Sequence, residues 1–317
     1  MTEMLRSKDL LDLESLSAAE IKLILDTSES FLAVMRRPIP KVPILRDKTI
    51  VNLFFENSTR TRISFELAEK RLSADVINFS ASTSSLKKGE TLKDTVDNIL
   101  AMRADMVVMR HSASGAARYL ADRIKVGVIN AGDGTHEHPT QGLLDLLTMR
   151  QRMGSLQGKR VVVVGDILHS RVARSNLWGL TKMGAKVTLC GPPPMIPAEA
   201  EQLGCEVDYD LRHAVREADA INVLRIQLER QLVQTFPSNR EYARSYRVDE
   251  DILALTKESC FVLHPGPMNR EVEITSTVAD GPRQVILDQV TNGVAVRMAV
   301  IYLLSGGAPQ SLGENLN

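Results

Sequence analysis

The sequence predicts an α/β protein built as two doubly wound parallel-sheet domains, with a last helix that packs back on the first. Three observations carry this. The length of 317 residues exceeds what one hydrophobic core usually serves. Apolar runs of strand length alternate with amphipathic helical segments along nearly the whole chain, the pattern of parallel strands joined by crossover helices. Near the middle, Gly154, Ser155 and Gly158 interrupt that alternation.

A capping box of Ser17 and Glu20 opens the first helix. Its Ile21, Ile24, Leu25, Phe31, Leu32 and Met35 recur at helical spacing until Pro38 and Pro40 end it. Residues 49–55 form an apolar run of strand length, followed by a polar turn and a helix through Phe65, Leu67 and Leu72. Strands are expected at 75–79, 106–110 and 126–130, and helices at 92–102, 115–123 and 141–152. After the glycine break, 160–164 is a β-branched run suited to a strand buried on both faces. A helix over 170–183, a strand at 186–189, a bend at Pro192-Pro193-Pro194 and strands at 219–224 and 260–263 continue the second half. The closing amphipathic helix, 285–304, stops at Gly306-Gly307. Domains are therefore expected at 1–152, joined by the C-terminal helix from about 292 to 317, and at 155–291.

Charge excludes several functions. The 39 Lys+Arg balance 39 Asp+Glu, so nothing global attracts nucleic acid or an anionic membrane, and an anion site needs local clustering of cations. No run of about 18 apolar residues occurs, and residues 1–13 lack a signal-peptide core, which points to the cytoplasm. Cys190, Cys205 and Cys260 are odd in number, far apart and without C-x-x-C spacing; they read as structural thiols rather than as a disulfide or zinc framework.

Ligands of doubly wound sheets bind beyond the carboxyl ends of the strands, so polar residues just after each apolar run are the candidates. Five such places stand out. Glu56-Asn57-Ser58-Thr59-Arg60-Thr61-Arg62 puts hydroxyls and a guanidinium at a helix start, which suits a phosphate, although a capped surface turn reads the same way. It is not a Walker A loop. The loop from Ser82 to Glu90 carries Ser84, Lys87 and Lys88, and by itself is equally a solvated loop. Arg110-His111 ends a buried run on a cation, either a ligand contact or a strand end facing solvent. His136-Glu137-His138-Pro139-Thr140-Gln141 opens a helix. It lacks H-E-x-x-H spacing and a third metal ligand, so His138 and Gln141 read as hydrogen-bonding groups toward one bound molecule, or as caps.

The fifth place lies in the second half. Arg171, Arg225 and Gln227, and His264-Pro265-Gly266-Pro267, each follow a strand. Two arginines at neighbouring strand ends suit two carboxylates. Pro265-Gly266-Pro267 has little N–H to offer, so it presents carbonyl oxygens, which suit an NH2 donor. Gly165-Asp166 hints at a nucleotide turn, but Ile167 and Leu168 stand where Gly-x-Gly-x-x-Gly needs glycine.

Together these residues resemble the transcarbamylase family. The resemblance runs nearly end to end, and its most specific parts are Phe54-Phe55-Glu56-Asn57-Ser58-Thr59-Arg60-Thr61-Arg62, Lys87-Lys88-Gly89-Glu90-Thr91, His138-Pro139-Thr140-Gln141 and His264-Pro265-Gly266-Pro267. It implies a carbamoyl phosphate domain followed by an amino-acid domain, a homotrimer, and a reaction without metal or cofactor. Ser58, Thr59, Arg60 and Thr61 are then expected to bind phosphate, and Thr61, Arg110 and His138 to address the carbamoyl oxygen. Gln141 and the Pro265, Gly266 and Pro267 carbonyls would hold the carbamoyl NH2. Ser84 and Lys88 would reach in from the adjacent subunit. Lys88, Arg171, Arg225 and Gln227 would bind the amino acid.

Within that resemblance the second half separates two branches. The ornithine branch carries His-Cys-Leu-Pro and a Ser-Met-Gly loop, whereas this chain has His264-Pro265-Gly266-Pro267 and Arg225-Ile226-Gln227. Two arginines attract a dicarboxylate and repel the ornithine ammonium, so carbamoyl transfer to aspartate in pyrimidine biosynthesis is the expectation. Departures are modest: Asp166-Ile167-Leu168-His169-Ser170 precedes Arg171, and Gly266 stands where some relatives have Leu. A regulatory or dihydroorotase-like chain is among the partners the resemblance allows. A reading from another class, a non-catalytic relative kept for assembly, is opposed by the presence of every matched cation and of His138.

Overall fold

The computed structural model describes residues 4–80, 92–226 and 238–308. Among these the chain divides into two compact units: one runs to Leu144 and resumes at Thr291, and the other is Asp145–Val290.

In the first unit, α1 (Ala18–Met35) precedes β1 (Thr49–Phe54), α2 (Thr59–Arg71), β2 (Asp75–Ser80), α3 (Leu92–Ala101), β3 (Met106–His111), α4 (Ala116–Ala121) and β4 (Gly127–Asp133). The capping box forms: the Ser17 hydroxyl accepts from Glu20 N, and Glu20 Oε2 accepts from Ser17 N at 2.9 Å. The four strands lie in the order β2-β1-β3-β4, all parallel. Leu10 extends the sheet beyond β4, donating to Val128 O at 2.9 Å and accepting from Asn130 N at 2.8 Å. The strands are apolar on both faces because helices cover both, and Val51, Leu53, Val107, Met109 and Val128 sit in the core with Val96 and Leu120 of the helices.

Helix α2 is fastened to β1 from inside: Asn52 Nδ2 donates to Glu69 Oε2 at 2.8 Å, and burial pushes the Glu69 carboxyl up to about 8 against the opposing effect of that hydrogen bond. The last helix joins the same unit. Helix α5 (Pro139–Met153) and the C-terminal helix, Ile286–Leu304, both run through the divide between the units. In the C-terminal helix the Tyr302 ring meets Phe31 of α1 edge-on, with centroids 5.7 Å apart. Arg297 Nη1 donates to Ser64 Oγ of α2 at 3.0 Å, with its guanidinium 5.0 Å from the Phe65 ring centre.

The second unit contains β5 (Arg160–Val164), α6 (Arg171–Lys182), β6 (Lys186–Cys190), β7 (Glu206–Asp208), α7 (Leu211–Ala214), β8 (Ala220–Val223), α8 (Asn239–Tyr246), α9 (Glu250–Leu253), β9 (Phe261–Leu263) and α10 (Ser276–Ala279), after which the C-terminal helix is α11. Its five strands are parallel in the order β7-β6-β5-β8-β9. Their apolar side chains, with Tyr242 and Tyr246 of α8, make its core. Cys190 and Cys260 are buried in it and Cys205 is half-buried, all three as free thiols. Burial pushes Cys205 up to about 11 and raises Cys190 and Cys260, so all three are held neutral.

The differences from the sequence reading fall on short elements. Strand β7 and helices α7, α8, α9 and α10 span only three to eight residues each, too few to print a period. In α8 only Tyr242 and Tyr246, four apart, are buried, so the apolar stripe is two residues long. The triple-proline bend is a 3-10 turn over Pro193–Met195. Strand β4 continues to Asp133 because Asn130 Oδ1 accepts from Gly132 N and holds the glycine in line.

Both sheets reverse direction once. In the first, successive crossovers step outward on opposite sides of the β1–β3 pair; in the second, of the β5–β8 pair. The carboxyl ends of those two pairs are the switch points, where loops splay apart and leave a crevice.

Candidate active site

At the first switch point β1 ends at Phe54 and α2 begins at Thr59. Ser58 is the N-cap in extended backbone, yet its side chain makes no cap hydrogen bond. The opening amides of α2 therefore add their partial positive charge to the Ser58 and Thr59 hydroxyls and the exposed Arg60, while Thr61 is buried beneath. Across the switch, β3 carries Arg110. This arginine is only 8% exposed, which rules out a solvated strand end. Its Nη2 donates to Glu56 Oε1 at 2.8 Å and its Nη1 to Ala131 O at 3.1 Å, so the loop after β1 and strand β4 both hold it. The next residue, His111, lies past a register shift in the pairing of β3 with β4; its ring meets Phe55 at a tilt of 57° with ring centres 5.4 Å apart, and desolvation lowers its pKa.

His138 sits just ahead of α5, and its carbonyl accepts from Gln141 N at 2.9 Å and Gly142 N at 3.2 Å. Pro139 at the first helical position loses no bond by lacking its N–H. The imidazole is buried. The neighbouring Glu137 is fully buried, and its carboxylate accepts from Leu13 N at 2.8 Å and Glu14 N at 3.2 Å, which ties the start of α5 to the N-terminal segment. Asp133 braces the turn, accepting from Asn130 Nδ2 at 2.7 Å and Gly115 N at 2.7 Å, with His136 Nδ1 at 3.1 Å from both its oxygens. Burial alone would raise the Asp133 carboxyl, but these hydrogen bonds outweigh it and hold it below the usual range. The same contact with Asp133 raises His136.

In the second unit, β5 is followed by Gly165 with φ +131°, where a Cβ would lie 3.1 Å from the Cβ and carbonyl oxygen of Leu224. Glycine thus lets the ends of β5 and β8 approach. Beyond them, Arg171 is the first residue of α6 and 3% exposed, behind the Ser170 cap, whose hydroxyl accepts from Ala173 N. Arg225 follows β8 and is half-buried. The fully buried Asp166 sits in the same loop, 2.8 Å from His169 Nδ1. Pro265, Gly266 and Pro267 follow β9, with Gly266 at φ +60°. Ser84, Lys88 and Gln227 lie outside the described residues. Among the described residues no group of three His, Cys, Asp or Glu side chains is arranged to hold a metal ion, and no helix is long and apolar enough to cross a membrane.

The family model described as the aspartate/ornithine carbamoyltransferase carbamoyl-P binding domain matches residues 8–151, and that of the Asp/Orn binding domain matches 157–304. The chain belongs to the aspartate/ornithine carbamoyltransferase family. Members with high identity share one name. The aspartate carbamoyltransferase catalytic subunit of Gemmatimonas aurantiaca is 61% identical over 303 residues, covering 96% of this chain and 95% of that one. That of Syntrophotalea carbinolica is 59% identical over 300 residues, covering 95% and 96%. Among solved structures of the family, ornithine carbamoyltransferase from Pyrococcus furiosus superposes with a TM-score of 0.86 at 31% identity, covering 96% of this chain and 99% of that one. Aspartate transcarbamoylase from Trypanosoma cruzi, in complex with carbamoyl phosphate and aspartate, superposes with a TM-score of 0.85 at 28% identity, covering 94% and 97%. Backbone likeness therefore does not separate the two branches of the family; the relatives at 56–61% identity carry the aspartate carbamoyltransferase name.

Several buried carboxylates in these elements were given no role of their own in the sequence reading. Glu56, Glu137 and Asp145 are all buried or half-buried carboxylates. Asp145 accepts from Gln289 Nε2 at 2.7 Å, Asn176 Nδ2 at 2.7 Å and Asn222 Nδ2 at 3.4 Å, joining α11, α6 and β8 to α5. A signal was available for it: one carboxylate interrupts the apolar run Leu143-Leu144-Asp145-Leu146-Leu147, and a charge in such a run is paired when buried.

The His136–Asp133 contact has a pH signature. Because the folded pKa of His136 lies above its ordinary 6.5, its stabilisation is complete below that value and is lost as pH rises through the folded pKa. The gap in urea midpoint between wild type and His136→Gln should accordingly be wider at pH 6 than at pH 9; an equal gap at both would show that the imidazole never charges there.

Proposed function

We propose that this chain transfers the carbamoyl group of carbamoyl phosphate to the amino group of L-aspartate, giving N-carbamoyl-L-aspartate and phosphate in de novo pyrimidine biosynthesis. The observation that carries the choice of amine is the pair Arg171 and Arg225 beyond the second switch point, cations suited to two carboxylates. The aspartate carbamoyltransferase names of relatives at 56–61% identity support it.

In this reading Ser58, Thr59, Arg60 and Thr61 bind the phosphate together with the opening amides of α2. Thr61, Arg110 and His138 address the carbamoyl oxygen, and Gln141 with the Pro265, Gly266 and Pro267 carbonyls holds the NH2. Arg171, Arg225, Gln227 and Lys88 bind the aspartate carboxylates. The chain acts as a cytoplasmic homotrimer in which Ser84 and Lys88 serve the adjacent subunit's site. A regulatory or dihydroorotase-like chain is a natural further partner.

The chemistry needs no nucleophilic side chain. The amine lone pair forms a bond to the carbamoyl carbon, charge collects on the carbamoyl oxygen, and collapse breaks the carbon–oxygen bond to phosphate. Phosphate leaves with the electron pair and accepts the proton the amine gives up. Arg110 and His138 act on the oxyanion, where a preorganised donor commonly contributes about 3 kcal/mol. The remainder comes from holding two anions with the amine near the carbonyl.

Purified protein given carbamoyl phosphate should form carbamoyl-aspartate with L-aspartate and no product with L-ornithine, unchanged by EDTA; product with ornithine would show that the role of Arg225 is misassigned. His138→Ala should lower kcat by about 2 to 4 kcal/mol in barrier. A loss confined to the KM for aspartate would remove His138 from the oxyanion. Mixing inactive Arg60→Ala with inactive Lys88→Ala subunits, then dissociating and reassembling them, should regenerate activity, since some sites receive both intact residues. Verified hybrids without activity would mean that each chain builds its own site.

A further inference from the structure

We infer that His264 is a positioning residue for the carbamoyl-holding turn, acting as a hydrogen-bond acceptor that sets which way the Pro265 carbonyl points. This rests on the proposal above that the carbonyls of residues 265–267 hold the carbamoyl NH2.

The argument begins with donors. Pro265 and Pro267 have no N–H, so Gly266 N–H is the one backbone donor of the three and the one handle by which a neighbour can orient the peptide between Pro265 and Gly266. That handle is taken by His264: Gly266 N donates to His264 Nδ1 at 2.8 Å. In a planar trans peptide the N–H and the preceding C=O point in opposite directions. Drawing the Gly266 N–H in toward the ring therefore turns the Pro265 carbonyl away from it, outward from the β9 end. Glycine at φ +60° permits the left-handed backbone this demands.

The ring itself is held in one tautomer. Since Nδ1 accepts, the imidazole proton resides on Nε2, which lies 3.3 Å from Glu273 Oε1. Glu273 and the His264 side chain are both fully buried, and the same carboxylate oxygen accepts from Asn269 N at 2.5 Å, so it is anchored on both sides of the turn. Behind the ring, His264 N donates to Gln289 Oε1 at 2.9 Å, and Gln289 Nε2 donates to Asp145 Oδ1. A chain of buried hydrogen bonds thus ends on the single N–H that orients the turn. A histidine used only to fill space would not need an acceptor at Nδ1.

Two substitutions separate the halves of the imidazole. His264→Asn keeps an acceptor oxygen at the place of Nδ1 and loses the reach to Glu273; His264→Gln keeps a donor at the place of Nε2 and loses the acceptor. We expect His264→Gln to lower kcat about 10- to 100-fold, the scale of a slight misplacement of a substrate-holding group, with the KM for aspartate little changed. His264→Asn should recover most of kcat although both variants lose similar thermal stability. Equal kcat in the two variants, or loss that tracks the unfolding midpoint, would overturn the inference. Imidazole 15N shifts of the wild-type protein give a second reading that survives if the variants do not fold: a proton on Nδ1 overturns the assignment, and one on Nε2 supports it. Failure of the underlying reading is distinguishable, because it appears as wild-type protein that forms no carbamoyl-aspartate.

Discussion

In a parallel sheet every strand points the same way, so all carboxyl ends, and every loop that follows them, gather along one edge. The rest of this protein's chemistry depends on that constraint. In the first sheet it sets the Glu56–Thr61 loop after β1 beside Arg110 at the end of β3; in the second it sets Arg171 and Arg225 beyond β5 and β8. Both pairs flank the position where the strand order reverses, so neither loop is covered by its neighbour's crossover. Helix N-termini face the same edge, and their amides favour anions there.

Cations so placed must still be held. Arg110 is nearly buried, and a guanidinium taken from water without a partner would be strongly destabilising; Glu56 and the Ala131 carbonyl answer that need and fix its direction. The same arrangement recurs one layer back. Glu137 fastens the N-terminal segment to the start of α5, and Asp145 gathers amides from α6, β8 and α11. Buried carboxylates thus serve as fixed points in both units, and a chain of zero net charge gathers arginines beyond the carboxyl ends of its strands.

Legibility followed apolar patterning as well as length: β8 and β9, only four and three residues long, were read from their apolar runs. Helices of ten or more residues and strands of five or six carry enough period to be read, and their boundaries shifted by one or two residues when seen in three dimensions. The four-residue helices and the three-residue β7 were not readable, since they exist through packing and caps rather than periodicity. At the site, residue types were legible where several polar groups followed an apolar run, as at Ser58–Arg62 and His138–Gln141. Residues that act by burial were not. Glu137 looks like an ordinary surface glutamate, because the sequence cannot show that its partners are the amides of Leu13 and Glu14 in a distant segment, and nothing periodic marks Glu273 as buried against His264.

What the sequence by itself determined is the alternation of strands and helices, the division near its middle, and the chemical inventory at each strand end, because periodicity and residue type are local properties. Strand order was decided by the tertiary structure alone, and with it the meeting of Arg110 with Glu56 and the closure of β5 on β8 at Gly165. The tautomer of His264 was decided the same way, since it depends on Gly266 and Glu273 converging on opposite sides of one buried ring. Hydrogen bonds between residues distant in sequence carry no periodic signal, so they become visible only once the chain has folded.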